Sequence, residues 1–413
     1  MSGFARQEGT LLCDGVPVAD AAERFGTPLY LYSRAAVVDA YQGYASAFAP
    51  VPNRICYALK ANSSRALLRV LCGLGAGADI VSGGELRAAL AAGFPPERIV
   101  FAGVGKTDAE LALGIEHDIG HFGAESEEEI ERLGAMAAAR GRTARVSLRV
   151  NPDIDPGSHP YISTGLRENK FGVDMGKGAA ILERARDVPG IDVVGLHCHI
   201  GSQITDLDAM EEAAREVARL SQELLGRGFP LRTIDIGGGL GVDYDGNGAP
   251  QPDALADRVL PLLRGLGLTL VLEPGRSLVA AAGVLLTRVL YLKENRGKRF
   301  VIVDAGMNDL LRPALYQAHH RIEPAVSRGR DRVRVDVVGP VCETGDFLAR
   351  GREIEAVEVG DLLVVRDAGA YGFCMASTYN LRPRPAEVLV EEGGLRLIRR
   401  RETFEDMVRT ELS

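Results

Sequence analysis

The chain has 413 residues and a net charge of −8, from 48 basic and 56 acidic side chains. This length exceeds one ordinary domain, and 46% hydrophobic with 25% charged residues is a globular composition, which excludes fibrous and disordered classes. The acidic balance offers no basic surface for nucleic acid or an anionic membrane, so we expect a small-molecule substrate.

Targeting and cysteine patterns point to the same class of protein. The first residues lack the apolar core of a secretory signal, and the longest apolar run, 278–286, is too short to cross a bilayer. We therefore expect a cytoplasmic protein. The six cysteines show no C-x-x-C spacing, so neither a zinc site nor a disulfide framework is predicted.

The first fifty residues predict a hairpin piece at 10–15, a helix at 18–25, a strand at 28–33 and an alanine-rich helix to about residue 48. From residue 55, short apolar runs alternate with amphipathic helical stretches, which is typical of β/α units. Eight runs are predicted as strands: 55–60, 78–81, 99–102, 119–122, 146–150, 193–200, 233–236 and 268–273. Eight such units over about 220 residues match a (β/α)₈ barrel.

After residue 273 the pattern changes to apolar runs without long helices between them. We predict strands at 283–292, 299–304, 333–338, 361–365, 387–390 and 395–398, and a short helix at 402–412. The predicted fold class is α/β: a (β/α)₈ TIM-like barrel plus a C-terminal, mainly antiparallel β domain that also takes in the N-terminal strands. The predicted domain boundaries are 1–33, 34–280 and 281–413.

Lys60 ends the first predicted barrel strand, and active-site residues of such barrels lie at the carboxyl ends of strands. Partly apolar surroundings disfavour the charged form of an amine, so a lysine there can become a Schiff-base nucleophile. The alternative is that Lys60 only solvates a strand end.

Two later strand ends carry glycine-rich turns. Gly237–Gly239 lets backbone N–H groups approach a phosphate, unless it is only a tight β-to-α turn. Glu273, followed by Pro274, Gly275 and Arg276, could keep a pyridine nitrogen protonated, as pyridoxal phosphate requires. The alternative is an Arg–Glu pair that closes the barrel end.

His197 and His199 stand at i, i+2 and would share one face of a strand. A metal pair is possible, but no third ligand recurs with suitable spacing, so no metal is predicted. His199 could stack on a flat heterocycle while Ser202 meets a phosphate oxygen, or both histidines could be core residues.

In the second domain, Cys342 could transfer a proton and Glu343 could bind an amine, although Cys342 could equally be a buried structural residue. Arg312, Tyr316 and Tyr371 stand in Gly- or Pro-containing loops suited to carboxylate or phosphate contact. Ordinary surface loops are the alternative reading.

Together these motifs follow one known order along nearly the whole chain. The sequence resembles the fold type III pyridoxal-phosphate decarboxylases, and within them the diaminopimelate decarboxylase family. The motifs that carry the resemblance are Gly26-Thr-Pro-Leu-Tyr30, Tyr57-Ala-Leu-Lys60-Ala-Asn62, Gly77-Ala-Asp79-Ile-Val-Ser-Gly-Gly-Glu85, His159-Pro-Tyr-Ile-Ser-Thr-Gly165, His199-Ile-Gly-Ser202-Gln203, Gly237–Gly239, Glu273-Pro-Gly275-Arg276, Cys342-Glu343, Ala370-Tyr371-Gly372 and Tyr379-Asn-Leu-Arg-Pro-Arg-Pro385. One departure is Thr344, where the family commonly has Ser after Cys-Glu.

The resemblance implies pyridoxal 5′-phosphate as cofactor. It implies that Lys60 binds the cofactor aldehyde, that His199 stacks on the ring and that Glu273 pairs with the ring nitrogen. The other implied cofactor-binding residues, most of them around the phosphate, are Asp79, Ser202, Gly238, Gly239, Gly275, Arg276 and Tyr371.

For the substrate, the resemblance implies that Arg276, Arg312 and Tyr316 bind a carboxylate and that Glu343 binds the distal amino group. Tyr371 is a further implied substrate-binding residue. Cys342 or a neighbouring group would protonate Cα. Cys342 and Glu343 would come from the partner subunit, so a homodimer with shared sites is expected. The implied reaction is decarboxylation of meso-2,6-diaminopimelate to L-lysine. A decarboxylase for ornithine, lysine or arginine, or a non-catalytic relative, remains an alternative.

Overall fold

A computed structural model describes residues 3–155, 157, 159–162, 164–165 and 169–412. Of the predicted motifs, only 159–165 is affected, since Ser163 lies outside the described residues. The chain forms two compact units. One comprises residues up to 40, 243–248 and those from 278 on, and the other comprises 41–242 and 249–277. The predicted boundaries at 33/34 and 280/281 stay predictions.

The amino-terminal segment forms four strands and two helices. They are β1 (Phe4–Gln7), β2 (Thr10–Cys13), β3 (Val16–Pro17), α1 (Val18–Phe25), β4 (Leu29–Ser33) and α2 (Arg34–Phe48). Strands β1, β2 and β3 form a small antiparallel sheet. All five residues of β4 are buried, as expected of a strand inside a larger sheet.

The next elements alternate between strand and helix. They are β5 (Asn53–Ala58), α3 (Arg65–Gly73), β6 (Gly77–Ile80), α4 (Gly83–Ala92), β7 (Ile99–Phe101), α5 (Asp108–Glu116), β8 (His121–Ala124), α6 (Glu127–Ala138), β9 (Ala144–Asn151), β10 (Val173–Asp174), α7 (Met175–Ala185), β11 (Ile191–His197), α8 (Leu207–Gly226), β12 (Thr233–Asp235), α9 (Pro252–Leu263) and β13 (Thr269–Leu272). Eight of these strands pair in parallel in the order β5-β6-β7-β8-β9-β11-β12-β13, and β13 pairs with β5, so the barrel is closed. The predicted (β/α)₈ barrel is confirmed.

Two details of the barrel prediction are wrong. Strand β5 ends at Ala58, and Lys60 lies in a short 3₁₀ turn, Leu59–Ala61, rather than on the strand. Strand β11 ends at His197, so His199 follows the strand instead of sharing a strand face with His197. In both cases the apolar run continues past the last ladder hydrogen bond, because the loops at this end of the barrel are themselves buried.

The remaining elements are α10 (Arg276–Val279), β14 (Gly283–Asn295), β15 (Lys298–Val303), α11 (Arg312–Tyr316), β16 (Ile322–Pro324), β17 (Arg332–Val338), β18 (Phe347–Glu355), β19 (Leu362–Val365), β20 (Ala386–Glu391), β21 (Gly394–Arg399) and α12 (Phe404–Val408). A sheet runs in the order β18-β17-β15-β14-β4-β20-β21, and β19 pairs with β14 and β16. The predicted second β domain, including an N-terminal strand, is confirmed. Strand β4 pairs antiparallel with β14 and parallel with β20.

Strands β16 and β18 were not predicted. Strand β18 carries Arg350, Arg352 and Glu353 among its nine residues, so its apolar positions form no continuous run. The predicted terminal helix is shorter than expected and begins after Thr403, whose side chain caps it. Within the described residues, no helix has both the length and the apolar composition needed to span a lipid bilayer.

Candidate active site

Lys60 stands just past β5 and forms an ion pair with a carboxylate of the next strand. Its Nζ lies 2.9 Å from Oδ2 of Asp79, which is completely buried. The pKa of Asp79 is raised to about 7, chiefly by burial and also by Glu273, while Lys60 opposes the increase. The Lys60 side chain keeps 36% of its surface exposed, so its amine is accessible at the carboxyl end of the barrel.

Glu273 directly follows β13 and is 5% exposed. One of its oxygens, Oε2, lies 3.4 Å from Nε2 of His197, whereas Oε1 is buried and has no hydrogen-bond partner among the described residues. Burial alone would raise the pKa of Glu273, but His197, Lys60 and His199 hold it well below its ordinary value. Glu273 is therefore an ionised carboxylate with one oxygen available to a cationic group.

His199 is fixed as a neutral ring. Its Nδ1 accepts a hydrogen bond from the backbone N–H of Gly238 at 3.2 Å, which leaves Nε2 to carry the proton. Burial, Arg149 and Lys60 hold the pKa of His199 well below its ordinary value. A neutral, oriented imidazole is suited to lie against a flat heterocycle. The amide of Gly238 is engaged in this bond.

A buried ion pair that sequence reasoning missed supports His199. Arg149 on β9 lies 2.9 Å from Glu125, and both side chains are almost fully buried. Arg149 also donates to the backbone carbonyl of His199 at 3.2 Å, and Glu125 accepts the N–H of Gly172 at 2.6 Å. A lone arginine inside the apolar run 146–150 was the signal that could have revealed it, since unpaired charges are rarely buried.

The glycine-rich turns follow β12 and β13, the seventh and eighth barrel strands, after which TIM barrels frequently bind phosphate. A Cβ on Gly238 would lie 2.1 Å from the carbonyl oxygen of Glu273, and one on Gly275 would lie 3.0 Å from Cβ of Ala58. Gly239 has φ +107°, which side chains rarely allow. Close by, Nη2 of Arg276 donates to Oγ of Ser202 at 2.9 Å.

These barrel residues fit pyridoxal phosphate. The unpartnered oxygen of Glu273 suits a protonated ring nitrogen, and the partly exposed side chain of Lys60 carries an amine that suits an aldehyde. The glycines of the two turns are required by close packing of the chain at this end of the barrel, where a side chain would meet protein atoms. The structure thus brings together nine of the predicted site residues within one unit: Lys60, Asp79, His199, Ser202, Gly238, Gly239, Glu273, Gly275 and Arg276.

The other five predicted residues lie in the unit that comprises residues up to 40, 243–248 and those from 278 on, which we call the second unit. Their place at the barrel site stays a prediction. Arg312 begins α11 and is buried, with Nη1 2.7 Å from Nε2 of His320 and its guanidinium 4.4 Å from the centre of the Tyr244 ring. Tyr316 ends the same helix and is partly exposed. Tyr371 has φ +54°, an unusual value for a bulky residue.

Cys342 and Glu343 are exposed on the turn between β17 and β18. The backbone N–H of Cys342 donates to Oδ1 of Asn380 at 3.1 Å, and Asp346 accepts the N–H of Val341 at 2.6 Å. A hydrogen bond to Glu343 raises the pKa of Tyr379. The two predicted side chains are therefore presented outward on a turn that its neighbours hold in place.

Sequence reasoning also missed a buried cluster beneath Glu273. The ligand atoms of His197, Asp235 and Glu273 all lie within 4.8 Å of one another, and they form the group that could hold a metal ion in the part of the chain that the structure describes. An imidazolium between two carboxylates would satisfy the same charges without a metal. The two histidines singled out from the sequence thus stand in different surroundings.

Comparison with known proteins places the chain in a family. Residues 34–280 match the family described as pyridoxal-dependent decarboxylase, pyridoxal binding domain. The diaminopimelate decarboxylase of Pseudomonas aeruginosa is 50% identical over 407 residues, covering 98% of each chain. That of Aquifex aeolicus is 49% identical over 407 residues, covering 98% of this chain and 96% of its own.

Solved structures agree with the sequence relatives. The diaminopimelate decarboxylase from M. jannaschii, in co-complex with L-lysine, has a TM-score of 0.95 and 40% identity, covering 100% of this chain and 99% of its own. The resemblance drawn from the motifs is confirmed. The family match covers more than half of the chain, and the two relatives are 49% and 50% identical to it over 98% of its length. This chain therefore belongs to the pyridoxal-dependent decarboxylases, and within them to the diaminopimelate decarboxylase family.

Proposed function

We propose that the protein decarboxylates meso-2,6-diaminopimelate to L-lysine and carbon dioxide, the last step of lysine biosynthesis, with pyridoxal 5′-phosphate as cofactor. The observation that carries this proposal is the 49–50% identity to diaminopimelate decarboxylases, which extends over 98% of the chain and hence over both units. The barrel residues described above provide the chemistry that such a reaction needs.

Bound pyridoxal phosphate supplies an electron sink for the electrons that remain when carbon dioxide leaves. Lys60 is the residue that we assign to its aldehyde, since the Lys60 side chain is partly exposed and its amine is held by Asp79. Glu273 would hold a negative charge against the ring nitrogen, in a buried place where electrostatic interactions are strong. His199 would lie against the ring as a neutral imidazole.

We assign substrate recognition to arginine, tyrosine and glutamate side chains. Arg276, Arg312 and Tyr316 would bind a carboxylate of the substrate and Glu343 its distal amine, because guanidinium and phenol groups bind carboxylates and a carboxylate binds an ammonium. Tyr371 would contact the substrate as well. Cys342 is assigned to protonation at Cα. In the barrel, Arg276 is already oriented by its bond to Ser202.

We further propose a homodimer in which Cys342 and Glu343 complete the partner's site. Their outward position on the β17–β18 turn supports this arrangement. We place the enzyme in the cytoplasm, which is supported by six cysteines that are all free, since disulfides are rare in that reducing compartment.

The test is carbon dioxide release from meso-diaminopimelate, ornithine, lysine and arginine in the presence of pyridoxal phosphate. We expect turnover of meso-diaminopimelate alone, because the other three lack a distal carboxylate for the arginines. The control is Lys60→Ala, which should release no carbon dioxide from any of them. Turnover of ornithine alone would refute meso-diaminopimelate as the substrate. No turnover of any of the four would favour a non-catalytic relative.

A further inference from the structure

The buried cluster beneath Glu273 is built by strand register. His197 is the last residue of β11 and Asp235 the last of β12, and the two are direct partners in the parallel ladder. Both side chains point into the barrel, where they are 1% and 0% exposed. Glu273 follows the neighbouring β13, and its Oε2 lies 3.4 Å from Nε2 of His197. His197 therefore lies between two carboxylates.

The charges around His197 favour its protonated form. Burial lowers the pKa of His197, but Glu273 and Asp235 more than offset this effect and raise it above its ordinary value, against a smaller opposing contribution from Arg149. His121, the other buried histidine of the barrel interior, is different: burial lowers its pKa to about 3, so it stays neutral. His199 is neutral as well, as described above.

We propose that His197 is a positioning residue, which holds Oε2 of Glu273 so that Oε1 stays directed to the ring nitrogen of the cofactor. This inference rests on the function proposed above. It explains why Oε2 of Glu273 lies at ion-pair distance from Nε2 of His197, a nitrogen without a hydrogen-bond partner among the described residues, while Oε1 has no partner there either. Unpartnered buried oxygens are costly, so such an arrangement is expected where a ligand completes the pairing.

The cationic form of His197 has a second consequence. A buried carboxylate without a cation beside it takes up a proton readily, since desolvation disfavours its charge. His197 keeps Glu273 ionised, and the proton shared between Glu273 and the ring nitrogen then resides on the nitrogen. Loss of His197 should transfer that proton to Glu273, leaving a neutral ring nitrogen that is a weaker electron sink.

The experiment compares His197→Gln with His121→Gln, which removes a buried imidazole of the same barrel that stays neutral and therefore supplies no positive charge to Glu273. Both proteins, and the wild type, are loaded with pyridoxal phosphate labelled with ¹⁵N in the ring, and the ¹⁵N chemical shift is recorded. We expect the protonated shift in the wild type and in His121→Gln, and the neutral shift in His197→Gln. Asp235→Asn, which removes the second carboxylate but keeps His197, should lie between them.

Kinetics and the apoprotein give independent readouts. His197→Gln should lower kcat at least tenfold with little change in KM, since the substrate contacts are untouched. In the wild-type apoprotein, ¹⁵N spectra should show His197 with both nitrogens protonated; a neutral His197 there would overturn the proposal even if the Gln variant did not fold.

A protonated ring nitrogen in loaded His197→Gln would also overturn the inference, while leaving the proposed function intact. Absence of bound cofactor in the wild type would instead count against the proposed function. If a chelator removed the His197 ¹⁵N signal of the wild-type apoprotein, the cluster would be assigned to a metal ion. That result would overturn the role given to His197.

Discussion

Nζ of Lys60 lies 2.9 Å from Oδ2 of Asp79, a carboxylate with no exposed surface. The pair joins the loop after β5 to strand β6, because Asp79 is the ladder partner of Ala58, two residues before Lys60. The amine is thus held at a fixed place by a strand neighbour rather than by its own backbone. This fixed position supports the first prediction.

Lys60→Ala should abolish covalent attachment of pyridoxal phosphate and its visible absorbance. In the wild type, borohydride reduction followed by peptide mass spectrometry should find the cofactor on Lys60. Lys177→Ala, at an exposed lysine of α7, should behave as the wild type. A reduced adduct on any other lysine would show that the assignment of Lys60 is wrong.

Glu125→Gln should destabilise the protein by about 3–5 kcal/mol, the usual result of removing one partner of a buried ion pair. Arg149 would keep its charge but lose its carboxylate, and Gly172 would exchange a charged acceptor for a neutral one. Chemical denaturation of the apoprotein measures the effect. Asp108→Asn breaks the exposed pair of Asp108 with Arg132 and is the matched control, which should leave the midpoint nearly unchanged. Equal midpoint shifts for the two variants would contradict the prediction.

Asp309 makes stability depend on pH. This carboxyl is 2% exposed in the second unit, and burial is the main cause that raises its pKa to about 7. Between its unfolded value near 4 and about 7, the folded state binds more protons than the unfolded state, so this contribution to the free energy of unfolding falls as pH rises.

Asp309→Asn cannot titrate and should therefore gain stability relative to the wild type as pH rises through that window, by at most about 4 kcal/mol. Thermal unfolding of both proteins at a series of pH values measures the difference. Asp257→Asn, at an exposed position of α9, controls for the loss of one charge. A difference that does not vary with pH would refute the assignment.

Shared active sites can be tested by mixing inactive variants. In a hybrid of Lys60→Ala with Cys342→Ala, both lesions would fall in the same site, because each site takes Lys60 from one chain and Cys342 from its partner, so the other site of each hybrid would be intact. After reversible dissociation and reassembly at equal amounts, about one quarter of wild-type activity should return, since half of the dimers are hybrids with one good site each. Lys60→Ala mixed with Glu273→Gln is the control. Both lesions lie in the barrel unit, so each site of a hybrid would carry one of them and no activity should return.

The regular part of the fold could be predicted from the sequence because each barrel strand is a short apolar run between turn residues. The ends of the strands could not, since Lys60 and His199 belong to buried loops that continue the apolar run. Strand β18 was missed because Arg350 and Arg352 interrupt its pattern.

The site was predictable where one residue carries the chemistry, as with Glu273 beside its glycine turn. It was not predictable where two residues must be in register. His197 and Asp235 are 38 positions apart in the sequence, and only the ladder between β11 and β12 reveals that they are neighbours. Similarly, the pairing of Arg149 with Glu125 depends on the parallel ladder between β8 and β9.

The position of β4 has a consequence for the synthesis of the protein. Its residues pair in parallel with those of β20, so Leu29 and Ala386 are ladder partners. While the ribosome elongates the chain, β4 stays without this neighbour until β20 has emerged, more than 350 residues later. Because pairings between distant segments form slowly, the nascent β4 is a hydrophobic strand with an unpaired edge during that interval. The sheet that contains β4 is therefore expected to complete its folding only after β20 has left the ribosome.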